Sequence, residues 1–227
     1  WGFSTRSIGG LIMTHSDDNG LVLPPKIAST HIVILPIIHK EEDHANIISY
    51  SNKLADELRK ITYHGQSLGV EVDTRELTGG EKAWSWVKKG VPIRLEVGNK
   101  EFSADSVFMG RRDKEYKDKQ MAPRNEFMSS VVNELDDMQA YLLKRARTMR
   151  EDNTVTIHDE KAFYDYFKGD GGFALAHWNG NAALEEKIKQ DLSVTIRCLP
   201  FSEKGKPGKC IFTGEKSEQM VVFAKAY

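Results

Sequence analysis

Between Asp73 and Glu96 the chain collects residue types that can handle single-stranded nucleic acid. The acids Asp73 and Glu96 stand among the cations Arg75, Lys82, Lys89 and Arg94 and the indoles of Trp84 and Trp86. An unstacked base is held on an aromatic face, and its edge is read by hydrogen bonds. On a helix, positions i and i+2 point apart. At most one of the two indoles can therefore face a ligand, and Trp86 is assigned to the core. Lys88 and Lys89 fit a solvated face as well as a phosphate contact. Other chemistries are poorly supplied. No P-loop and no G-x-G-x-x-G opens a helix. His177, Cys198 and Cys210 form a makeshift set that falls short of the four tetrahedral ligands zinc wants.

The elements that must position these groups read as follows. His31 to Ile38, HIVILPII, is short and β-branched, a buried strand. Asp43 precedes Ile47, Leu54, Leu58 and Ile61 at helical spacing, which predicts an N-cap and a helix of about four turns. Gly69 to Asp73 alternates as a second strand. Glu81 to Lys89 is a short helix stopped by Gly90, with Pro92 beyond. Ile93 to Val97 is a third strand, Ser106 to Gly110 a fourth, and Arg111 to Lys119 a hairpin or solvated loop. Leu135, Met138, Leu142, Ala146 and Met149 share one face of a long helix, whose Lys144, Arg147 and Arg150 read as solvated. Strands alternating with helices predict an α/β domain over 29–150. Upstream, Ile8 to Met13 predicts a buried helix or strand, and Asn19-Gly20 a turn, which His15 could order. After Asn153 come a helix over 158–168 with Phe163 and Phe167, a glycine break, a helix over 183–191, and strands over 194–199 and 220–224. This is a small α+β unit.

Composition fits a folded core: of 227 residues, 40% are hydrophobic and 29% charged. A net charge of -1 gives no general pull toward RNA, though a local basic patch remains open. The longest apolar run, Ile32 to Ile38, is too short to span a bilayer. Two cysteines make no disulfide framework, and a cytoplasmic location is the default. The first residue is Trp1 rather than Met, as in a fragment of something longer.

Four stretches carry a family resemblance. WGFSTRSIGGLIMTHSDDNGLVLPPKIAS resembles the third class II synthetase signature as prolyl-tRNA synthetases write it. VEVDTRELTGGEKAWSWVKKGVPIRLEVG resembles the centre of their anticodon-binding domain, and TIRCLP with the terminal FAKAY resembles the type that has an extra C-terminal domain. The resemblance implies three pieces. Residues 1–28 are the tail of the catalytic domain, a strand through Arg6 and then a helix. Residues 29–150 are the anticodon-binding domain, a mixed five-stranded sheet flanked by helices. Residues 151–227 are the C-terminal α+β domain.

It also implies roles. Arg6 is the catalytic and ATP-binding arginine, steadying charge on the phosphoryl oxygens as a fixed guanidinium can. Gly9 and Gly10 allow close approach of nucleotide or helix backbone. Asp73, Arg75, Lys82, Trp84, Lys89, Arg94 and Glu96 bind the anticodon. Proline codons begin CC, so two guanines are read, and a carboxylate can accept from the guanine edge. Tyr227 carries a terminal carboxylate that reaches toward the active site. Relatives often hold zinc on four cysteines. Here Asn179, Leu184 and Thr213 stand at three of those positions and only Cys210 remains, so no zinc is expected. Leu184 instead fills the vacated volume beside Phe173, Trp178, Phe212 and Phe223.

The function implied is a part of proline-tRNA ligase that recognises the proline tRNA anticodon for ATP-dependent attachment of proline. ATP with Mg, proline and proline tRNA are the partners of the intact enzyme, a homodimer with no membrane association. The chain alone is expected to be inactive. The alternatives are a non-enzymatic tRNA-binding paralogue and a fragment of a histidine, threonine or glycine synthetase. The STRSIGG and SDDNGLVLPP segments argue against both.

Overall fold

The computed structural model describes residues 2–226. The chain divides into two compact units, Trp1–Ala146 and Arg147–Tyr227. The first opens with helix α1 (Arg6–His15). The strand expected through Arg6 is not there: Arg6 begins the helix, and no neighbouring strand takes up the backbone of residues 2–5 among the described residues. Ile8 to Met13 is helical but not buried. Ile8 is 58% and Met13 67% exposed.

The following turn is ordered by Asp17 rather than His15. Asp17 Oδ1 accepts from the Asn19 amide (2.9 Å), and a bridge pairs Asp17 with Gly20. Residues 21–23 then run along the sheet unit, Leu21 N donating to Lys88 O (3.0 Å). Val22 is buried with Met138 and Leu142.

Strand β1 (Ile32–Pro36) is buried throughout, as its unbroken apolar run demands. Alternation sends Ile32 and Ile34 to one face of the sheet, and Val33 and Leu35 to the other. Helix α2 (His44–Leu58) follows. Asp43 makes no capping hydrogen bond; a single 3-10 turn over Glu41–Asp43 leads into the helix instead, and Ile61 packs beyond its end. A small hairpin, β2 (Thr62–Tyr63) and β3 (Gln66–Ser67), precedes β4 (Val70–Val72).

Helix α3 (Gly79–Lys89) starts with a capping box between Thr78 and Glu81. It ends on Gly90 at φ 75°, a left-handed position glycine occupies without strain. Then come β5 (Ile93–Val97), helix α4 (Asn99–Ser103), β6 (Ser106–Arg111), β7 (Lys119–Pro123) and the long helix α5 (Arg124–Asp152). The sheet is mixed, in the order β4-β1-β5-β6-β7, with β4, β1 and β5 parallel and the rest antiparallel. The run from Arg111 to Lys119 turns the β6–β7 hairpin. Helices α2 and α5 contribute Ile47, Leu54, Phe127 and Leu135 to the core on one face. Helix α3 closes the other with Ala83 and Trp86. Along α5, Leu135, Met138 and Leu142 are buried as the periodicity requires, but Met149 is exposed.

The second unit holds β8 (Thr154–Thr156), α6 (Glu160–Lys168), β9 (Phe173–His177), α7 (Ala182–Leu192), β10 (Val194–Cys198), β11 (Gly208–Lys209), β12 (Lys216–Ser217) and β13 (Met220–Lys225). Its main sheet runs β10-β13-β9-β8. Asp159 and Asn181 cap α6 and α7 through their side-chain oxygens. The core is aromatic: the Phe163 ring lies 4.8 Å from Phe167, 4.9 Å from Phe212 and 5.0 Å from Phe223, centroid to centroid.

Candidate nucleic-acid interface

A groove of about 970 Å³ lies at the C-terminal ends of β1 and β4 and the N-terminus of α3. Open α/β sheets bind ligands at such strand ends. Its walls include Ile37, His39, His44, Arg75, Glu76 and Lys82.

Asp73, just past β4, fixes one side. Its side chain is 1% exposed, and its two oxygens accept from Arg75 Nε (2.8 Å), Arg75 Nη2 (2.6 Å) and Trp86 Nε1 (2.8 Å). The Arg75 hydrogen bonds, with that from Trp86, hold the Asp73 carboxyl at about 2 against the opposing effect of burial. Asp73 is therefore fully engaged within the fold and is not a free acceptor for a base edge. It aims Arg75, whose guanidinium also donates to Ser85 Oγ (2.7 Å) while staying half exposed at the groove. Lys82 is buried on the groove wall with no ion-pair partner among the described residues. Glu76 and Leu77 are exposed beside it, an acceptor and a flat apolar surface.

The other expected residues are dispersed. Trp86 packs inward and Trp84 lies 40% exposed, the division that i,i+2 spacing demands. Lys89 sits over the Trp86 ring at 4.1 Å. Glu96 pairs with Lys119 at 2.5 Å. Trp84 and Arg94 line a second, smaller cavity with Tyr116. Arg6 is exposed, and a Cβ on Gly9 or Gly10 would meet nothing within 4 Å. Tyr227 lies outside the described residues. The sequence reading missed His39, His44 and Glu76. The usable signal was topological: loops leaving neighbouring parallel strands converge at one sheet end.

In the second unit, Asn179 and Thr213 do meet. Asn179 Nδ2 donates to Glu215 Oε2 (2.6 Å) and Thr213 Oγ1 (3.3 Å). Burial works against ionisation of Cys210, yet hydrogen bonds from Thr213 and from the amides of Phe212, Thr213 and Asn179 lower its pKa. His177 is engaged with Ser217 (3.1 Å), and Cys198 is exposed. One thiol, an amide already donating, a threonine and a leucine do not fit zinc, which needs four charged or imidazole ligands. Leu184 is partly buried against the aromatic core with Trp178, Phe212 and Phe223; Phe173 is not part of that cluster.

A mixed sheet with a groove at its parallel strand ends defines an open α/β ligand-binding class of domain. Residues 31–134 match the family model "Anticodon binding domain", and residues 161–227 match "Prolyl-tRNA synthetase, C-terminal". Across its full length the chain is 46% identical over 239 residues to proline--tRNA ligase 2 of Anaeromyxobacter dehalogenans, covering 47% of that protein. It is 43% identical over 231 residues to the proline--tRNA ligase of Bdellovibrio bacteriovorus (46% covered) and 46% over 234 residues to that of Rhodopirellula baltica (45% covered). The chain belongs to the prolyl-tRNA synthetase family. It spans about half the length of the curated relatives it matches.

Proposed function

We propose that this chain supplies the tRNA-reading part of an enzyme that attaches proline to its tRNA at the expense of ATP, with Mg. In this reading residues 29–150 bind the anticodon, residues 1–28 belong to the catalytic domain, and residues 151–227 form a C-terminal domain that folds without zinc. Arg6, Gly9 and Gly10 serve the nucleotide in the intact enzyme. The intact enzyme is a cytoplasmic homodimer. On its own, the chain gives no proline-dependent ATP–pyrophosphate exchange.

The observation that carries the reading is the groove with Arg75 locked by Asp73. Arg75 and Lys82 present donors, and Glu76 presents a carboxylate that can accept from the guanine edge. Leu77 gives the base a surface. Trp84, Lys89 and Arg94 lie outside the groove and act elsewhere on the same RNA, the cations on its phosphates and Trp84 by stacking, whereas Glu96 is engaged with Lys119.

The test is fluorescence anisotropy with a proline-type anticodon stem-loop RNA. Replacing both anticodon guanines by adenine is expected to weaken binding by about 1–3 kcal/mol for each lost contact, on the scale of base readout in DNA. Equal affinity for the two RNAs refutes the assignment.

A further inference from the structure

Arg94 is a charge the fold does not satisfy. It projects from β5 on the α3 side of the sheet and is 2% exposed, with Nε and Nη1 sealed from solvent and without a hydrogen-bond partner. Its strand partner is Gly110, and a Cβ there would stand 3.2 Å from Arg94 Nη2, so the missing side chain leaves the guanidinium its room. Tyr116 stacks near it at 5.4 Å, which tempers the charge without supplying an acceptor. Burial lowers the Arg94 pKa and nearby Arg112 adds to that, while Tyr116 and Glu96 work against it; Glu96 lies beyond ion-pair distance and is itself paired with Lys119. An unpaired buried charge is costly and calls for a counter-charge.

The surrounding cavity, about 70 Å³, has the character of an anion site. Arg94, Arg111, Arg112 and Lys114 line it, against Asp17 and Glu115. Asp17 is spent on Arg112, which it holds at 2.5 and 2.8 Å, and Glu115 is exposed at the rim. Arg111 is likewise spent on Asp113, Glu134 and Asp137. Arg94 and Lys114 are thus left as the cavity cations without a carboxylate partner among the described residues, and of the two only Arg94 is buried. At the mouth stand Trp84 and Tyr116, 6.2 Å apart, both more than a third exposed.

We propose that this cavity is a phosphate site in which Arg94 is the buried anchor and Lys114 the outer cation. A guanidinium suits a tetrahedral oxyanion because its N–H groups form a fixed fork. The phosphate group comes either from the backbone of a bound RNA strand, with Trp84 and Tyr116 as stacking faces for the adjacent nucleotide, or from free inorganic phosphate. The first source rests on the RNA reading above; the site itself does not.

The experiment is thermal unfolding of the chain in millimolar inorganic phosphate against chloride at equal ionic strength. At that level, general exclusion of phosphate from the surface is small. Specific binding raises Tm progressively with phosphate concentration. The wild-type chain is expected to show that rise, Arg94→Met to lack it, and Lys114→Glu, a surface change, to reduce it. No rise in the wild type, or the same rise in both variants, overturns the proposal. If Arg94→Met does not fold, the Lys114→Glu comparison decides. A second arm identifies the source by anisotropy with the anticodon stem-loop. A backbone phosphate as occupant means that phosphate competes with the RNA beyond matched chloride. The slope of log K against log salt then falls by about 0.7 in Arg94→Met, one single-strand contact. A free anion as occupant leaves RNA binding unchanged while the Tm shift persists.

Discussion

Arg94 on β5 and Arg111 on β6 are buried to similar depth, 2% and 9% exposed, and the fold treats them in opposite ways. Arg111 meets Asp113, Glu134 and Asp137, each at 2.8 Å, and those hydrogen bonds raise its pKa although burial opposes its charge. Arg94 meets no carboxylate at all within ion-pair distance among the described residues. The two side chains show what burial of a charge can mean. A network closed on itself is architecture; a charge left open in a cavity points to something outside the chain.

The largest expected effect breaks the closed network. Arg111→Met leaves the enclosed Asp113 unpaired and should cost about 3–5 kcal/mol in urea unfolding. Arg94→Met, measured in phosphate-free buffer, should be neutral or stabilising, since it removes an uncompensated charge. Equal losses in the two variants would erase the contrast.

Asp73 sharpens it with pH. Its folded pKa of about 2 lies below the ordinary 3.8, so its contribution is present above about pH 4 and fades as pH falls toward 2. With Arg75 half exposed, the contribution is about 1–2 kcal/mol. The gap in stability between wild type and Asp73→Asn should narrow over that range. A gap independent of pH would show that the ion pair does not hold Asp73 charged.

The smallest effects belong to the second unit. Leu184 is only partly buried, so Leu184→Ala should cost about 1 kcal/mol, below the range for a full core leucine. EDTA should leave the melting curve unchanged. Stoichiometric zinc on elemental analysis, with unfolding on chelation, would contradict the ligand count.

Much of this was legible from the residues. HIVILPII announces a buried strand, and Gly90 with Pro92 announces the end of α3; its start lies two residues before the expected Glu81, at the capping box of Thr78 with Glu81. Strand β7 was not legible, because KQMAP has no β-branched residue and ends in proline at the sheet edge. Nor was β9, where FALAH reads as helix-forming and becomes a strand only through β13 and β8. In the site, the residue types were right for binding but their partition was hidden. Asp73 and Arg75 lie two apart and could each have faced a ligand; only the backbone after β4 turns them onto one another. Arg94 and Lys82 look alike in sequence, yet Arg94 lines one cavity and Lys82 another.

The most direct test of the groove as the reader is Glu76→Gln, an exposed change that leaves the fold intact. Its affinity is measured for the proline-type stem-loop and for the RNA with both guanines replaced, across a salt series. If Glu76 accepts from a guanine edge, the preference between the two RNAs shrinks by about 1–3 kcal/mol, and the salt slope stays put. A preference unchanged by Glu76→Gln, or a slope altered in its place, would contradict the account.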